Sequence, residues 1–533
     1  MNDWTSGYVA DLDYTHDFFR ELAPSHLAFC AVSQGKKHGL NRSELTYCEL
    51  GCGQGVSANL LAAANPHIEF HAMDFNPAHM VGARELAGEA QLDNMHFHEQ
   101  SFEDFANAPG LPETFDVIAL HGVYSWVSKE NQQHILDFLS KRLKSGGMVY
   151  ISYNTQPGWA AAVPLRRILV DRTAQGSGPL AERISDAIQH LEQLDQAGAG
   201  YISSNPSLSA WIEKIKNMSP NYLAHEYLNR DWTPFHFADV ASDMSQAKLS
   251  FMASTDPMDH LDDVSFSAEQ LALLNAETDP VRRQGLRDLL LNEQFRTDLF
   301  IRGELPHTAR GAIGAWFETT LALSRRYGGG RLTFKGRQGD LPLQPEQYAP
   351  VLTALQDGPL TVRDLLDQGA FGQNTWEAIT RILTVLIGAG HITPCLPKEG
   401  LEERAAHCRA FNTAVCKRAE DSETLRFLAS PVTGGGIEMD RFEQLFLLAR
   451  SEGLETPNEW AELAWQILAP QGYRLHADGR ILETPEENLA VLRVRANTFA
   501  AQRLPLCESL GLTLEPPMPS AEAQSQPQSQ AVA

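Results

Sequence analysis

Cysteine, long apolar runs and basic residues are all scarce in this chain of 533 residues. Its seven cysteines form no C-x-x-C pair, which argues against a disulfide framework and favours reduced thiols in the cytoplasm. No apolar run approaches the roughly 20 residues of a membrane helix, so we expect no membrane insertion. Acidic residues outnumber basic ones by 67 to 43, and the net charge of −24 argues against nucleic acid as a partner.

The first part of the chain has an alternating pattern. Residues 1–154 alternate predicted strands with predicted helices, which is typical of parallel β-α-β units in a doubly wound α/β sheet. The strands are expected at Thr46–Leu50, His67–Met73, Met95–His98, Phe115–Leu120 and Met148–Tyr153. A chain of this length exceeds one typical domain, so further domains are expected after this one.

The pattern changes after Asn154. Residues 155–216 are purely helical, which predicts a helical insertion. Strand-like segments return at Lys248–Thr255 and Phe295–Arg302, so residues 217–302 are predicted to complete the edge of the sheet. The acid-rich run Asp256–Asp263 is predicted to be a solvated loop, and attraction of a basic peptide is its functional alternative.

Residues 307–512 predict a mostly helical C-terminal domain. Within it, Leu360–Leu366 and Trp376–Ala389 resemble a helix-turn-helix followed by a wing strand, although a small helical bundle fits the pattern equally well. The second helix carries Arg381 and no lysine, which favours a scaffold or protein-contact role over DNA binding. Residues 513–533 are rich in Pro, Ser, Gln and Ala, a composition that predicts a disordered tail.

A glycine-rich turn is the most specific motif. The segment Glu49–Gly55 (ELGCGQG) follows the first strand and precedes a helix, and its glycines let the backbone approach a ligand closely. A dinucleotide turn is the alternative, but the G-x-G-x-x-G frame places Val56 at its last glycine. Glu49 suits an ammonium group better than a pyrophosphate. Asp74, at the end of the next strand, can accept both hydroxyls of a ribose.

This arrangement resembles the S-adenosylmethionine site of class I methyltransferases. The resemblance implies a Rossmann-like fold with S-adenosylmethionine as its cofactor. Asp74 matches the ribose acid and Phe75 the residue that packs on adenine, while Ser101 and Phe102 match the adenine-contacting position, where many members have Asp instead of Ser. The cofactor-binding set that the resemblance implies is Glu49, Gly51, Gly53, Gly55, Asp74, Phe75, Ser101, Phe102 and His121.

The segments after the fourth and fifth strands are expected to line the acceptor pocket, because ligands of open α/β sheets bind beyond the carboxyl ends of the strands. They contain His121, Tyr124, Trp126, Tyr153 and Asn154. Aromatic faces attract cations, and tyrosine or asparagine oxygens can orient an amine. Tyr124, Tyr153 and Asn154 are pocket candidates, and Trp126 is a substrate-binding candidate whose alternative is a packing role.

Longer segments resemble a narrower family, the bacterial methyltransferases with a methyltransferase regulatory domain. These segments are Tyr8–Leu27, His121–Val127, Ser152–Trp159, Tyr222–Val240 and Phe427–Ile437. The best-described members are rickettsial-type protein lysine methyltransferases that act on outer-membrane protein. The resemblance implies a regulatory domain near residues 217–302 and a protein lysine as methyl acceptor. A small metabolite or glycan is the alternative acceptor, a non-catalytic cofactor-binding module is the alternative function, and the oligomeric state stays open.

The implied reaction is a direct in-line displacement by a neutral amine. Because free lysine has a pKa of about 10.4, the site must help it lose a proton. His121 is the nearby side chain with a suitable pKa, and contact with the methionine end of the cofactor is its alternative role. Orientation of the amine by Tyr153 or Asn154, with water taking the proton, is the simpler hypothesis. No metal site is predicted, since His96 and His98 share one face of a strand but lack a third ligand.

Overall fold

Residues 16–301 fold around a seven-stranded sheet. The computed structural model describes residues 16–330, 332–336, 339–477 and 479–515. The strands of this sheet are β1 (Leu45–Leu50), β2 (Ile68–Asp74), β3 (Met95–Glu99), β4 (Phe115–Leu120), β5 (Leu143–Asn154), β6 (Ser250–Ser254) and β7 (Phe295–Ile301). Their order is β3-β2-β1-β4-β5-β7-β6. Strands β1 to β5 are parallel, and β7 runs antiparallel between β5 and β6.

Helices cover the sheet, so its strands are apolar on both faces. The helices of this part are α1 (Pro24–Ser33), α2 (Val56–Ala64), α3 (Pro77–Glu89), α4 (Phe102–Phe105) and α5 (Lys129–Arg142). Every residue of β4 is buried, as expected for a parallel strand between two layers. Tyr47 and Tyr150 belong to one apolar cluster, and Cys48 and Ile151 to another. The predicted doubly wound α/β fold of class I methyltransferases is confirmed.

Strand β5 begins earlier than the sequence predicts, at Leu143 instead of Met148. The reason is an irregularity in its pairing with β4. Phe115 pairs with Leu143, whereas Val117 pairs with Met148, so the glycine pair of the expected turn lies in a bulge inside the strand. Gly146 has a φ of 81° there, a conformation that side chains disfavour.

The region between β5 and β6 is helical and has an apolar core of its own. Its helices are α6 (Gln156–Trp159), α7 (Val163–Gln175), α8 (Leu180–Gln196), α9 (Gly200–Ser203), α10 (Ser207–Lys216), α11 (Pro220–Tyr227) and α12 (Phe237–Gln246). Trp159, Leu191 and Ile212 belong to this separate cluster. Three further helices precede β7: α13 (Asp262–Ser265), α14 (Ala268–Ala276) and α15 (Pro280–Leu291).

After residue 301 the chain is mostly helical, as predicted. The helices are α16 (Ala309–Glu318), α17 (Pro345–Ala354), α18 (Val362–Asp367), α19 (Trp376–Gly388), α20 (Leu401–Arg418), α21 (Arg441–Ser451), α22 (Pro457–Leu468), α23 (Pro485–Thr498) and α24 (Leu504–Ser509). The strands are β8 (Thr320–Leu323), β9 (Thr333–Gly336), β10 (Gly339–Pro342), β11 (Leu360–Thr361), β12 (Ile392–Cys395), β13 (Phe427–Ser430), β14 (Gly435–Glu438), β15 (His476–Ala477) and β16 (Arg480–Ile481).

Helices α18 and α19 and strand β12 follow the helix-helix-strand pattern of the sequence. Helix α18 starts at Val362, two residues later than expected, because the Thr361 hydroxyl accepts a hydrogen bond from the Asp364 amide and caps the helix. Strand β12 pairs with β8, which precedes both helices. The C-terminal region also packs on the sheet domain, since Asn65 donates a buried hydrogen bond to the Gly434 carbonyl.

Some predictions fall on parts of the chain that the structure does not describe. The predicted disordered tail (513–533) lies outside the described residues from residue 516 onward, as does the start of the N-terminal segment Tyr8–Leu27, up to residue 15. Within the described residues, every helix is too short or too polar to cross a membrane. All seven cysteines are free thiols.

Candidate active site

The glycine-rich turn connects β1 to α2 and requires its glycines. Gly51 and Gly55 have φ values of 75° and 67°, in the left-handed region. A Cβ atom on Gly51 would lie 2.6 Å from a methyl group of Val123, and one on Gly55 would lie 2.7 Å from the Cβ of Ala83. The turn therefore brings backbone close to the carboxyl ends of β1 and β4, and α2 begins directly after it.

The carboxylates of Asp74 and Glu49 face this turn. Asp74, at the end of β2, accepts hydrogen bonds from the backbone amides of Gly53 and Asn76, both at 2.9 Å. His79 Nδ1 lies 3.4 Å from Asp74 Oδ1, the oxygen that accepts the hydrogen bond from Asn76. These contacts fix the orientation of the Asp74 carboxylate, as required for a group that accepts hydrogen bonds from a ligand.

Glu49 is buried, and no described residue forms an ion pair with it. Its Oε2 has no hydrogen-bond partner among the described residues. Burial, together with repulsion from Asp74, raises the pKa of Glu49 to about 8. A buried acceptor of this kind is stabilised by a cationic ligand, so the site fits a ligand that carries an ammonium group.

A cavity connects these groups with the ends of β3 and β4. Of the residues that the sequence assigned to the cofactor, Gly55 alone is not on its wall, because it precedes α2 and faces Ala83 and Phe97 instead. The predicted residues on the wall are Glu49, Gly51, Gly53, Asp74, Phe75, Ser101, Phe102, His121 and Trp126. The fold therefore gathers residues from four strand ends into one space, next to the turn and Asp74.

His121 lies on the cavity wall in an aromatic setting. The ring of Phe19 stacks on it with a centroid distance of 3.7 Å, and the Tyr150 hydroxyl lies 2.7 Å from its Nδ1. Burial lowers the pKa of His121 to about 4, against an opposing effect of the Glu21 carboxylate. The imidazole is therefore neutral at pH 7 and a weak base.

The structure does not bring the two predicted tyrosines to the cavity, which corrects the expectation from sequence. Tyr124 donates a hydrogen bond to Asp243 at 2.8 Å and is fully buried. Tyr153 points to the opposite face of β5 from Tyr150, because side chains alternate along a strand. There it donates to Asp298 at 2.6 Å. Burial and the neighbouring carboxylates raise the pKa values of both hydroxyls.

Asn154 is also absent from the cavity wall. It is the last residue of β5, where it pairs with Phe295 of β7. Its backbone amide donates to the Ser125 hydroxyl at 2.9 Å, and its side chain is buried. The side-chain nitrogen has no hydrogen-bond partner among the described residues. Asn154 therefore supports the junction of β5 and β7.

A second cavity lies at the start of β7 and is rich in acidic residues. Its wall contains five carboxylates and two guanidinium groups, together with Ser254, Phe295 and Thr297. The charged residues are Glu21, Asp256, Asp259, Glu293, Asp298, Arg20 and Arg296. Two of the acids belong to the run Asp256–Asp263, which therefore lines a cavity instead of forming only a solvated loop. Asp298 pairs with Arg296 at 2.8 Å and Asp259 with Arg287 at 3.5 Å, so the excess of negative charge that favours a cationic ligand comes from Glu21, Asp256 and Glu293.

The two cavities are neighbours. Phe19 lines the first, and the next two residues, Arg20 and Glu21, line the second. On the other side, the ring of Phe295 in the second cavity lies 6.4 Å from the ring of His121 in the first. Phe19 and His121 therefore lie between the first cavity, which contains Glu49 and Asp74, and the second cavity, which favours a cationic ligand.

Sequence reasoning missed several residues of the first cavity. Asp17, Phe19 and Asp231 come from segments distant in the chain; Tyr8–Leu27 and Tyr222–Val240 carry the family resemblance, but that resemblance did not assign these three residues to the cofactor site. His79 had a usable signal, since it lies on the first turns of the helix that follows Asp74. Its position five residues after that acid places it over the carboxylate.

Comparisons with known proteins agree with this geometry. A family model described as "Methyltransferase domain" matches residues 41–236, and one described as "Predicted methyltransferase regulatory domain" matches residues 219–302. The chain is 39% identical to the Synechocystis protein sll1526 over 510 residues, which cover 96% of this chain and 100% of that protein. It is 27% identical to the Rickettsia prowazekii protein RP789 over 295 residues, or 53% of this chain and 50% of that protein.

A solved structure has the same fold. PKMT2 from Rickettsia typhi, in complex with AdoHcy, superposes with a TM-score of 0.69 at 17% identity, over 94% of this chain and 99% of that one. The two family models account for the sheet domain and the region that completes its edge. The chain belongs to the class I S-adenosylmethionine-dependent methyltransferases with a methyltransferase regulatory domain, and S-adenosylmethionine is its cofactor.

Proposed function

We propose that the enzyme transfers a methyl group to the side-chain amine of a protein lysine. The observation that carries this proposal is the acid-rich cavity beside His121. Its lining has five carboxylates against two guanidinium groups, and Arg287, which pairs with Asp259 from outside the lining, reduces the formal excess from three negative charges to two. A lysine is a cation in solution, and an acidic cavity raises its local concentration.

The cofactor is assigned to the first cavity. When bound, S-adenosylmethionine supplies an activated methyl group on its sulfonium centre. In this proposal Glu49 holds the ammonium of the methionine part, which its buried Oε2, without a partner among the described residues, supports. Asp74 accepts hydrogen bonds from the ribose hydroxyls, a role that its fixed orientation at the end of β2 supports. Phe75 and Phe102 supply apolar wall for the adenine.

The acceptor is assigned to the second cavity, with its amine directed past Phe295 towards His121. Holding two reactants in line contributes about 7–11 kcal/mol in favourable cases, so positioning is the main task of these residues. The amine must lose its proton before it attacks. With a pKa of about 4, His121 is a weak base at neutral pH, which supports transfer of the proton to water.

The domain composition also supports a protein acceptor. The fold is shared along nearly the whole chain with a rickettsial protein named PKMT2, and the sequence resembles the rickettsial-type protein lysine methyltransferases. The C-terminal region, which packs on the sheet domain, provides additional surface that a small substrate does not need.

A small cationic metabolite is the second candidate. Phe19 stacks on His121 and, with Asp17, lines the cofactor cavity, so the N-terminal segment narrows the space between the two cavities. A narrow passage accommodates a free amine as well as a lysine side chain. A cofactor-binding module without transfer activity would require no acceptor cavity at all.

Labelled cofactor distinguishes these possibilities. The purified enzyme is incubated with methyl-labelled S-adenosylmethionine and a bacterial lysate, and protein is separated from small molecules. We expect label in the protein fraction, recovered as methyl-lysine after hydrolysis, and much less label with the Asp74→Ala variant at a cofactor concentration near the wild-type Kd. Label confined to small molecules would contradict the protein acceptor, and cofactor binding without any labelled product would contradict the enzyme activity.

A further inference from the structure

We propose that Glu69, His71 and His96 form a site for a divalent transition metal of the zinc class, on the face of the sheet at strands β2 and β3. The sequence alone places the possible metal ligands His96 and His98 on one face of a strand, without a third ligand. Pairing of the two strands supplies two more side chains of the right chemistry, Glu69 and His71. None of these four residues lines the cofactor cavity, so the site is separate from the one that binds the cofactor.

The register of the strands brings the ligands together. His71 of β2 is the direct partner of His96 in β3. Glu69 and His71 lie two residues apart on β2, so their side chains point to the same face. The rings of His71 and His96 have a centroid distance of 4.7 Å, and both present Nε2 towards the Glu69 carboxylate.

The donor atoms converge at distances that suit one ion. Glu69 Oε1 lies 3.1 Å from His71 Nε2 and 3.6 Å from His96 Nε2. All three donor atoms lie within 4.8 Å of one another. Zinc binds histidine nitrogen and carboxylate oxygen at about 2.0–2.2 Å, so ligand atoms about 3–4 Å apart can share it. Two imidazoles and one carboxylate leave at least one position for water.

His98 and two phenylalanines orient the central ligand. His98 Nε2 lies 3.0 Å from His71 Nδ1, the ring nitrogen that faces away from Glu69. The ring of Phe115 contacts that of His71 edge-on at a centroid distance of 5.7 Å, and Phe105 packs on His98 at 5.2 Å. A metal-bound histidine commonly uses its second nitrogen for such a contact, which fixes the ring and its tautomer. The site is thus preformed around a buried His71.

The position of the site suggests its effect. Strand β3 is at the edge of the sheet, and its other long side has no strand partner among the described residues. An ion shared by Glu69 and His71 of β2 and His96 of β3 would tie this short strand to its neighbour. A ligand that binds only the folded state stabilises it by mass action. We therefore expect the metal to raise the melting temperature without being needed for cofactor binding.

The test uses the full chain, free of any histidine tag, with zinc and with cobalt as a spectroscopic probe. Calorimetry should show one saturable site in the wild type. His96→Ala and Glu69→Gln change exposed side chains and so leave the fold intact. Each should lower zinc affinity by at least about tenfold and remove the zinc-dependent rise in melting temperature. His476→Ala, at an exposed histidine outside the cluster, should behave as the wild type.

Cobalt gives the direct geometric readout, because visible absorption reports its coordination by the protein. We expect a cobalt spectrum in the wild type that zinc abolishes and that His96→Ala lacks. The proposal is overturned if the wild type shows no saturable binding of either metal. It is equally overturned if both ligand variants bind as tightly as the His476→Ala control. Neither outcome bears on the methyltransferase activity, which is measured with separate substrates.

Discussion

The backbone amide of Gly53 donates a hydrogen bond to Asp74 Oδ2 at 2.9 Å, which ties the glycine turn after β1 to the acid that ends β2. The two residues are 21 positions apart in the chain, and each is held by a different strand end. Any ligand that occupies the turn therefore meets the Asp74 carboxylate in a fixed orientation.

Removal of the Asp74 carboxylate should weaken cofactor binding. We expect Asp74→Ala to lower the affinity for S-adenosylhomocysteine by about 100-fold, because each hydrogen bond to a charged group contributes about 1.5–3 kcal/mol. Calorimetry measures the affinity, and the exposed Asp93→Ala serves as the matched control. An unchanged affinity in the Asp74 variant would show that the ribose lies elsewhere.

Cofactor affinity should depend on pH through Glu49. The free enzyme holds this carboxyl with a pKa raised to about 8, so at pH 6–7 it is protonated. Binding of an ammonium group favours the ionised form of Glu49, so the carboxyl proton must be released when the cofactor binds. Affinity should therefore rise with pH, by at most about tenfold per unit, and level off near the pKa of Glu49.

The control for this dependence is Glu49→Gln, which keeps the shape of the side chain but cannot titrate. We expect weaker binding and a flat profile over the same pH range. A wild-type profile that is already flat, or a Gln variant with the same slope as the wild type, would show that Glu49 does not bind the ammonium.

Tyr153 should contribute to stability and not to the cofactor site. Its hydroxyl is fully buried and donates to Asp298, which also forms an ion pair with Arg296 at 2.8 Å. Tyr153→Phe leaves a buried carboxylate short of one donor, so we expect a loss of about 1–3 kcal/mol in the free energy of unfolding. Denaturant titration measures this loss. A large fall in cofactor affinity with unchanged stability would instead place Tyr153 in the cavity.

Charge in the second cavity should set the affinity for a basic acceptor. Glu21 is half-buried there and follows Phe19 and Arg20 in the chain. We expect Glu21→Gln to raise KM for a lysine-containing acceptor several-fold, to leave cofactor affinity unchanged, and to have its largest effect at low salt, since screening weakens charge attraction.

The exposed Glu423→Gln removes the same charge far from both cavities in the sequence and is the control for this prediction. Equal KM values for the two variants would count against the acidic cavity as the acceptor site. A parallel loss of cofactor affinity in the Glu21 variant would instead assign Glu21 to the first cavity.

Sequence predicted the fold well wherever the determinants are local. Strand β4 begins and ends at the predicted residues Phe115 and Leu120, because a mostly apolar run marks it. Strand β5 was predicted too short, since a bulge is invisible in a hydropathy pattern. The start of α18 was predicted too early, because the capping role of Thr361 competes with apolar spacing.

The sequence predicted the site only in part, because some of its determinants are not local in the chain. The cofactor residues follow strand ends in order, so a motif captures them together. Tyr124 lies in a short turn after β4, and Tyr153 faces away from Tyr150 on β5; which of the two faces of the sheet borders the cofactor cavity is set by packing that the sequence does not reveal. The second cavity combines Glu21, Asp256 and Glu293 from three distant segments, and the His71–His96 contact depends on the register of two strands.

A structure of the enzyme with S-adenosylhomocysteine bound is the most direct test of this account. The account predicts the ammonium of the ligand at Glu49, its ribose at Asp74, and its sulfur directed towards Phe19 and His121, with the acid-rich cavity beyond them. A sulfur atom that faces away from Phe19 and His121, so that the acidic cavity has no path to it, would contradict the proposed route of the lysine.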